Sequence, residues 1–278
     1  MVRSPRLMLI AAGAFAVAAA AVWLVAFRTA LGARWDATIL TGFMGLRGAR
    51  VDRLAEAVAH LADPAPFGLA AAAIITAGLV RRRPWLAGMT LGVLVGASVT
   101  TQALKLLTAE PRLASAMTGG HVAAASWPSG HATAAMTMAL CAVVVVRARW
   151  RPLAIAAGAP FTIGVAYSVL VLDWHLPSDV LGGFFVATAW TLVGVAAVTA
   201  LERRRAAWQP LRLKAAIAPA AAAGVAVGAS IAAAALMRPH AAVAYAATNT
   251  TFVVAAAAIG SAALALAAAI AATADRAL

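Results

Sequence analysis

The sequence predicts an all-α protein, a polytopic bundle of membrane helices. Of its 278 residues, 64% are hydrophobic and 11% are charged, whereas soluble domains carry about 25% charged residues. The chain also contains several uncharged stretches close to the roughly 20 residues that cross a bilayer as a helix. Together these observations exclude an ordinary soluble domain.

The uncharged stretches predict eight membrane helices, of which the second and fourth are short. The first follows two arginines, as a signal peptide would, but its apolar run exceeds the usual signal core of about 7–15 residues. An uncleaved first helix is therefore favoured. The predicted helices lie near 7–27, 65–80, 85–107, 130–146, 152–173, 178–200, 213–236 and 250–273.

The net charge of +13 would suggest a nucleic-acid partner in a soluble protein. Here the arginines cluster at the ends of apolar runs, where the positive-inside rule and anionic lipids account for them. No nucleic-acid partner is predicted. The basic clusters at 81–83, 147–151 and 203–214 fall on the side of the N-terminus, which predicts that both termini are cytoplasmic.

The segment 28–63 holds most of the charge on the opposite side. Near 48–63, Val51, Leu54, Val58 and Leu61 recur at spacings of three and four between arginines and acids. This pattern predicts an amphipathic helix at the outer interface. His60 lies in this helix and is interpreted as a solvated or headgroup-facing imidazole.

The basic stretch beginning at residue 201 is the best internal boundary. Residues 1–200 are predicted to form a six-helix core that includes the interfacial helix. Residues 201–278 are predicted to form a basic linker and two additional Ala-rich transmembrane helices. Cys141 is the only cysteine, so no disulfide can form within the chain.

Polar residues at membrane level are costly and point to function. Taken singly, each has a structural explanation: lysine and arginine reach headgroups, serine caps a helix, and a His–Asp pair stabilises a helix start. Under the predicted topology, however, six of them converge on one face of the membrane, which favours a site. These residues are Lys105, Arg112, Ser129, His131, His175 and Asp179.

Three stretches carry a family resemblance. They are Lys105-x6-Arg112, then Pro128-Ser129-Gly130-His131, then Ser168 followed by His175-x3-Asp179. In order and spacing they resemble the three motifs of the type 2 phosphatidic acid phosphatase superfamily. The motifs span roughly residues 100–180, and the implied fold is a six-helix membrane core.

Two positions depart from the family pattern. Leu113 stands where the first motif has proline, and Pro111 instead precedes the arginine. Val169 stands where the third motif has an arginine that helps to hold the phosphate. Valine donates no hydrogen bond, so either one phosphate contact is lost or a different substrate is accommodated.

The resemblance implies a phosphohistidine mechanism. His175 would be the nucleophile, Asp179 would orient it, and His131 would act as general acid and then as general base. Lys105 and Arg112 would neutralise the phosphate oxygens. Ser129 and the Gly130 N–H would complete an anion site at a helix N-terminus. No metal and no cofactor are expected.

The implied activity is that of a metal-independent lipid phosphate phosphatase with its site on the extracytoplasmic face of a bacterial inner membrane. The expected partners are membrane lipids and a lipid phosphate substrate. Polyprenyl pyrophosphate is favoured over phosphatidylglycerol phosphate and phosphatidic acid. Two alternatives stay open: a transferase of the same fold, and a catalytically decayed lipid-phosphate binder or transporter, which Val169 would favour. The oligomeric state is not predicted.

Overall fold

The computed structural model describes residues 4–203 and 239–277, which form helices joined by turns and loops. In chain order the helices are α1 (Pro5–Arg28), α2 (Ala30–Met44), α3 (Ala49–Ala59), α4 (Pro64–Val80), α5 (Pro84–Leu107), α6 (Leu113–Thr118), α7 (Gly130–Val145), α8 (Arg151–Val171), α9 (Pro177–Arg203), α10 (Pro239–Thr248) and α11 (Thr250–Ala277).

Among the described residues, five helices are long and apolar enough to cross a membrane, namely α1, α5, α8, α9 and α11. A sixth span results if α3 and α4, which meet at 50°, cross as one broken unit. The prediction of an integral membrane, all-α bundle is confirmed. The predicted helix near 213–236 lies outside the described residues, so the count of six core helices plus two stays a prediction.

Proline marks the start of most of the long helices. Pro5, Pro64, Pro84 and Pro177 are each the first residue of a helix. Proline suits this position because its φ is already helical and its missing N–H would have no partner there. The predicted spans begin one or two residues later, since they were placed by hydrophobicity alone.

The centre of the bundle is made by α7, α8 and α9, with α9 also packed along α1 and against α5. Small side chains allow this close packing. Ala132, Ala135 and Ala139 of α7 are buried, and Gly183 of α9 lies directly against the first turn of α7. Cys141 is buried and free, as expected of a small apolar filler.

The predicted interfacial helix forms as α3 and is extended by a 3₁₀ turn, His60–Ala62. The face that it packs against the bundle shares only Val58 with the predicted apolar stripe. Ala55 and Ala59 are buried, and α3 packs against α8, whereas Leu54 and Leu61 are 67% and 51% exposed. The alanines permit close contact with the bundle, and the two leucines face outward.

Helix α2 was not predicted, because Arg34 and Asp36 interrupt its apolar pattern. It is not among the candidate membrane spans, and it packs against α1, α6 and α11. Contact with α11 includes an edge-on pair of rings, Phe43 and Phe252, with centroids 4.8 Å apart. Helix α11 is thus packed onto the core through α2, α7, α8 and α9.

Candidate active site

The polar residues meet at the site end of the bundle, where α5 and α8 end and α7 and α9 begin. Ser129 is the N-cap of α7, and its Oγ accepts a hydrogen bond from the N–H of Ala132 at 3.3 Å. Its own N–H donates to the carbonyl of Asp179 at 2.9 Å. This bond ties the start of α7 to the first turn of α9, so the two motif segments are held together.

A cavity of about 420 Å³ opens between α4, α5 and α7. Lys105 Nζ lies in it, 3.7 Å from the position that a Cβ on Gly130 would take. An anion in this cavity would therefore meet a lysine ammonium and the positive N-terminal end of α7 together. The lining residues include Asp63, Phe67, Gln102, Lys105, Gly130 and His131.

His131 projects from the first turn of α7 toward the break between α3 and α4. Its Nε2 lies 3.1 Å from Oδ1 of Asp63, and the other carboxylate oxygen of Asp63 lies 2.7 Å from Nδ1 of His60. The ring of Trp174 faces both imidazoles, with centroids 5.5 Å from His131 and 5.9 Å from His60. His60 is exposed, but it is bound to Asp63 and not merely solvated.

His175 lies in the turn between α8 and α9 and is 6% exposed. Its ring centroid is 6.3 Å from that of His131. Its Nδ1 faces Oδ2 of Asp179 at 3.4 Å, a separation of ion-pair range and longer than a good hydrogen bond. The turn is set by Asp173, whose φ of 59° is left-handed, and by the His175 N–H, which donates to the carbonyl of Val169.

Arg112 is buried in a cluster of carboxylates. Its Nη1 donates to Oδ1 of Asp179 at 2.7 Å, and its Nη2 donates to Oδ2 of Asp36 and to Oγ of Ser178, both at 2.9 Å. The guanidinium lies 3.8 Å from the ring centroid of Phe27 and is 1% exposed. At 1% exposure, the guanidinium would contact a substrate only if the groups packed around it moved.

The side chain of Asp36 is itself 6% exposed. Burial raises its pKa to about 6, while the hydrogen bond from Ser178 and the charge of Arg112 act in the opposite direction. The charge of Asp179 adds to the effect of burial. Asp36 is therefore an acid that can change its charge near neutral pH.

Comparison with known proteins supports the resemblance that the motifs suggest. Residues 85–203 match the model of the PAP2 superfamily, the type 2 phosphatidic acid phosphatases. This region of the chain is similar to the superfamily. A comparison of the chain with curated proteins gives no match.

The fold of the chain is similar to a solved structure described as the first transmembrane PAP2-type phosphatidylglycerolphosphate phosphatase from Bacillus subtilis. The TM-score is 0.53 at 17% sequence identity, and the match covers 74% of this chain and 99% of that chain. At this identity the likeness shows a shared fold.

All seven predicted site residues fall within the matched region 85–203. The structure brings Lys105, Gly130 and His131 to the cavity, places Ser129 at the cap, and sets His175 and Asp179 beside them. Sequence reasoning missed Asp36 and Asp63. The only local signal was at Asp63-Pro64, a typical helix start.

Val169, which stands where the family motif has an arginine, is fully buried and belongs to the apolar core of the bundle. Its side chain therefore contributes packing to the site, and its carbonyl accepts the His175 and Trp174 N–H groups.

Within residues 4–203 and 239–277, no cluster of three or more His, Cys, Asp or Glu side chains is arranged to hold a metal ion.

Proposed function

We propose that the protein hydrolyses the phosphomonoester or pyrophosphate of a membrane lipid through a phosphohistidine intermediate. The observation that carries this proposal is the pair of imidazoles, His131 and His175, whose ring centroids lie 6.3 Å apart. They stand at one end of an integral membrane bundle, beside a cavity that holds the ammonium of Lys105. A phosphoryl group between the two rings would meet a nucleophile on one side and a proton donor on the other.

In the first step His175 attacks phosphorus. Because Nδ1 faces Asp179, Nε2 is the nitrogen available to form the N–P bond. The P–O bond to the lipid breaks, and the leaving oxygen takes a proton from His131. Asp179 stabilises the positive charge that develops on the His175 ring, as the carboxylate of a catalytic triad does.

In the second step a water molecule cleaves the intermediate. His131, now neutral, takes a proton from water as the new O–P bond forms and the N–P bond breaks. Inorganic phosphate leaves and His175 is regenerated. Lys105 and the N-terminus of α7 supply positive charge to the phosphoryl oxygens in both steps.

The cavity supports a lipid as the substrate. Its polar end carries Lys105 and His131, and its wall includes the apolar side chains of Phe67 and Ala134. A headgroup phosphate would bind at the polar end while the tail stays among apolar groups. Among lipid phosphates we favour polyprenyl pyrophosphate, because the charge bias of the sequence predicts a site on the extracytoplasmic face, and the Ala- and Arg-rich composition favours a bacterial inner membrane.

The orientation has its own test. Reporter fusions after Arg83 and after Arg151 are expected to read cytoplasmic, since both positions end basic clusters. An external signal from both fusions would reverse the orientation and remove the reason for favouring the polyprenyl carrier.

The activity is tested by phosphate release from purified protein in detergent with polyprenyl pyrophosphate, phosphatidylglycerol phosphate and phosphatidic acid. We expect release from at least one, and a loss of about a thousandfold or more in His175→Ala. His121→Ala is the matched control, because His121 is exposed at the same end of the bundle, and it should keep full activity. Undiminished release in His175→Ala would overturn the mechanism.

The same preparations distinguish the alternatives. With ³²P-labelled lipid, an acid-labile label on the wild-type protein that is absent in His175→Ala would support the intermediate. Transfer of the label to an alcohol acceptor without release of phosphate would indicate a transferase. Binding of lipid phosphate without a label or release would indicate a decayed binder.

A further inference from the structure

Asp36 is an acidic residue that contacts the site residues and that none of the three motifs contains. It lies on α2, well before the region 85–203 that matches the family model. It is 4% exposed. A buried carboxylate is costly unless all its lone pairs are used, so its partners indicate its role.

Both oxygens of Asp36 accept hydrogen bonds. Oδ1 accepts the N–H of Ser178 at 2.9 Å. Oδ2 accepts the hydroxyl of Ser178 at 2.6 Å and Nη2 of Arg112 at 2.9 Å. Ser178 is the second residue of α9, so Asp36 binds the first turn of the helix that carries Asp179, as an N-cap would from another helix.

Arg112 links Asp36 to Asp179, which in turn faces the proposed nucleophile His175. Nη1 of Arg112 donates to Oδ1 of Asp179, which leaves Oδ2 to accept the N–H of Leu176 at 2.9 Å and to face His175. The order of contacts is therefore Asp36, Arg112, Asp179, His175. When Asp36 and Asp179 are both ionised, they and the single guanidinium together carry a net charge of one negative unit.

We propose that Asp36 is a positioning residue for the phosphatase reaction, acting on His175 through Arg112 and Asp179. It holds Arg112 against one oxygen of Asp179, and its charge keeps the cluster negative while the His175 ring becomes positive. This inference rests on the proposed function, because it requires that His175 be the nucleophile. Without the negative charge of Asp36, the positive charge of Arg112 would fully offset the negative charge of Asp179. The positive charge on the phosphohistidine ring would then be less stabilised.

The pKa of Asp36, raised by burial to about 6, makes this role dependent on pH. The charged groups that face Asp36 are Arg112 and Asp179. Above about pH 6 Asp36 is ionised and supports His175, and as the pH falls through 6 it becomes neutral. Protonated Asp36 then carries the same charge as asparagine.

The experiment compares wild type with Asp36→Asn from pH 5 to pH 8. At pH 7.5 we expect kcat to fall about tenfold, the factor that corresponds to one pKa unit, with little change in KM. The ratio of the two kcat values should shrink toward one below pH 6. Asp52→Asn, which removes a more exposed carboxylate on α3, is the control and should match wild type throughout.

Unfolding temperatures of the same samples separate positioning from a purely structural role. Because the folded-state pKa of Asp36 is raised, its protonation stabilises the fold at low pH, and this advantage over asparagine is lost as pH rises through 6. The unfolding temperature of Asp36→Asn, relative to that of wild type, should therefore be higher at pH 7.5 than at pH 5. An equal kcat in both proteins, or a kcat ratio that is the same at every pH, would overturn the inference. Wild type that is inactive on every lipid would instead overturn the proposed function.

Discussion

Nε2 of His131 lies 3.1 Å from Oδ1 of Asp63, at the break between α3 and α4. The two residues are 68 positions apart in the chain, and Asp63 precedes the region that matches the family model. A carboxylate at this distance favours the protonated imidazole, whereas burial of the ring disfavours it. The proposed general acid thus has a charge partner that the motifs do not include.

Asp63→Asn should lower kcat about tenfold at pH 7.5, because the amide keeps the shape but loses the charge that supports protonated His131. The alkaline limb of the kcat profile should also move to lower pH. Folding should be little affected, since the Asp63 side chain makes no capping bond within the described chain. His60→Gln, which alters the other partner of Asp63, is the control and should change kcat little. If the alkaline limb of the kcat profile did not move, Asp63 would have no role in the proton transfer by His131.

Val169→Arg restores the family arginine, but the structure predicts that it destabilises the protein. Val169 is fully buried in the apolar core, and a buried charge without a partner costs about 3–5 kcal/mol. We expect a lower unfolding temperature in detergent and no gain in kcat. Val169→Leu adds bulk without charge and should lose less stability. A higher kcat with unchanged stability would show instead that the new guanidinium reaches the phosphate.

The sequence predicted what depends on local pattern and short spacing. Spans follow from uncharged stretches, and motif spacing places Lys105, His131 and His175 at one end of the bundle because successive helices reverse direction. The prediction failed to include α2, whose apolar pattern is broken by Arg34 and Asp36.

Asp36 and Asp63 could not be found from the sequence for a physical reason. Asp36 meets Arg112 across 76 positions, and Asp63 meets His131 across 68. Such pairs are set by how helices pack, which spacing along one helix does not encode. The face of α3 that packs against α8 could not be predicted either, since it is made by alanines together with Val58 and not by the leucines.

Phosphate release should continue in excess EDTA. In the proposed mechanism Lys105 and the α7 N-terminus supply the positive charge that a metal ion gives in metal-dependent phosphatases. Initial rates with and without EDTA should agree, and EDTA saturated beforehand with magnesium is the control for effects of the chelator itself. A loss that added magnesium reverses would contradict the mechanism.

Gly183→Ala should damage the site although it is a small change. A Cβ at this position would lie 2.8 Å from the carbonyl oxygen of Ser129 and 3.0 Å from the nitrogen of Thr133, so α9 would have to move away from α7. Overpacking of this kind costs about 1–3 kcal/mol, and the Ser129–Asp179 backbone bond would lengthen. We expect a lower unfolding temperature together with a lower kcat.

Gly92→Ala is the matched control for this substitution. Gly92 lies within α5, and a Cβ there would meet nothing within 4 Å among the described residues. Alanine should be neutral or should stabilise the helix by up to about 1 kcal/mol. Gly183→Ala would contradict this account if it behaved like Gly92→Ala in both stability and kcat. The close contact of α9 with the first turn of α7 would then not be what fixes the positions of His131 and His175 relative to each other.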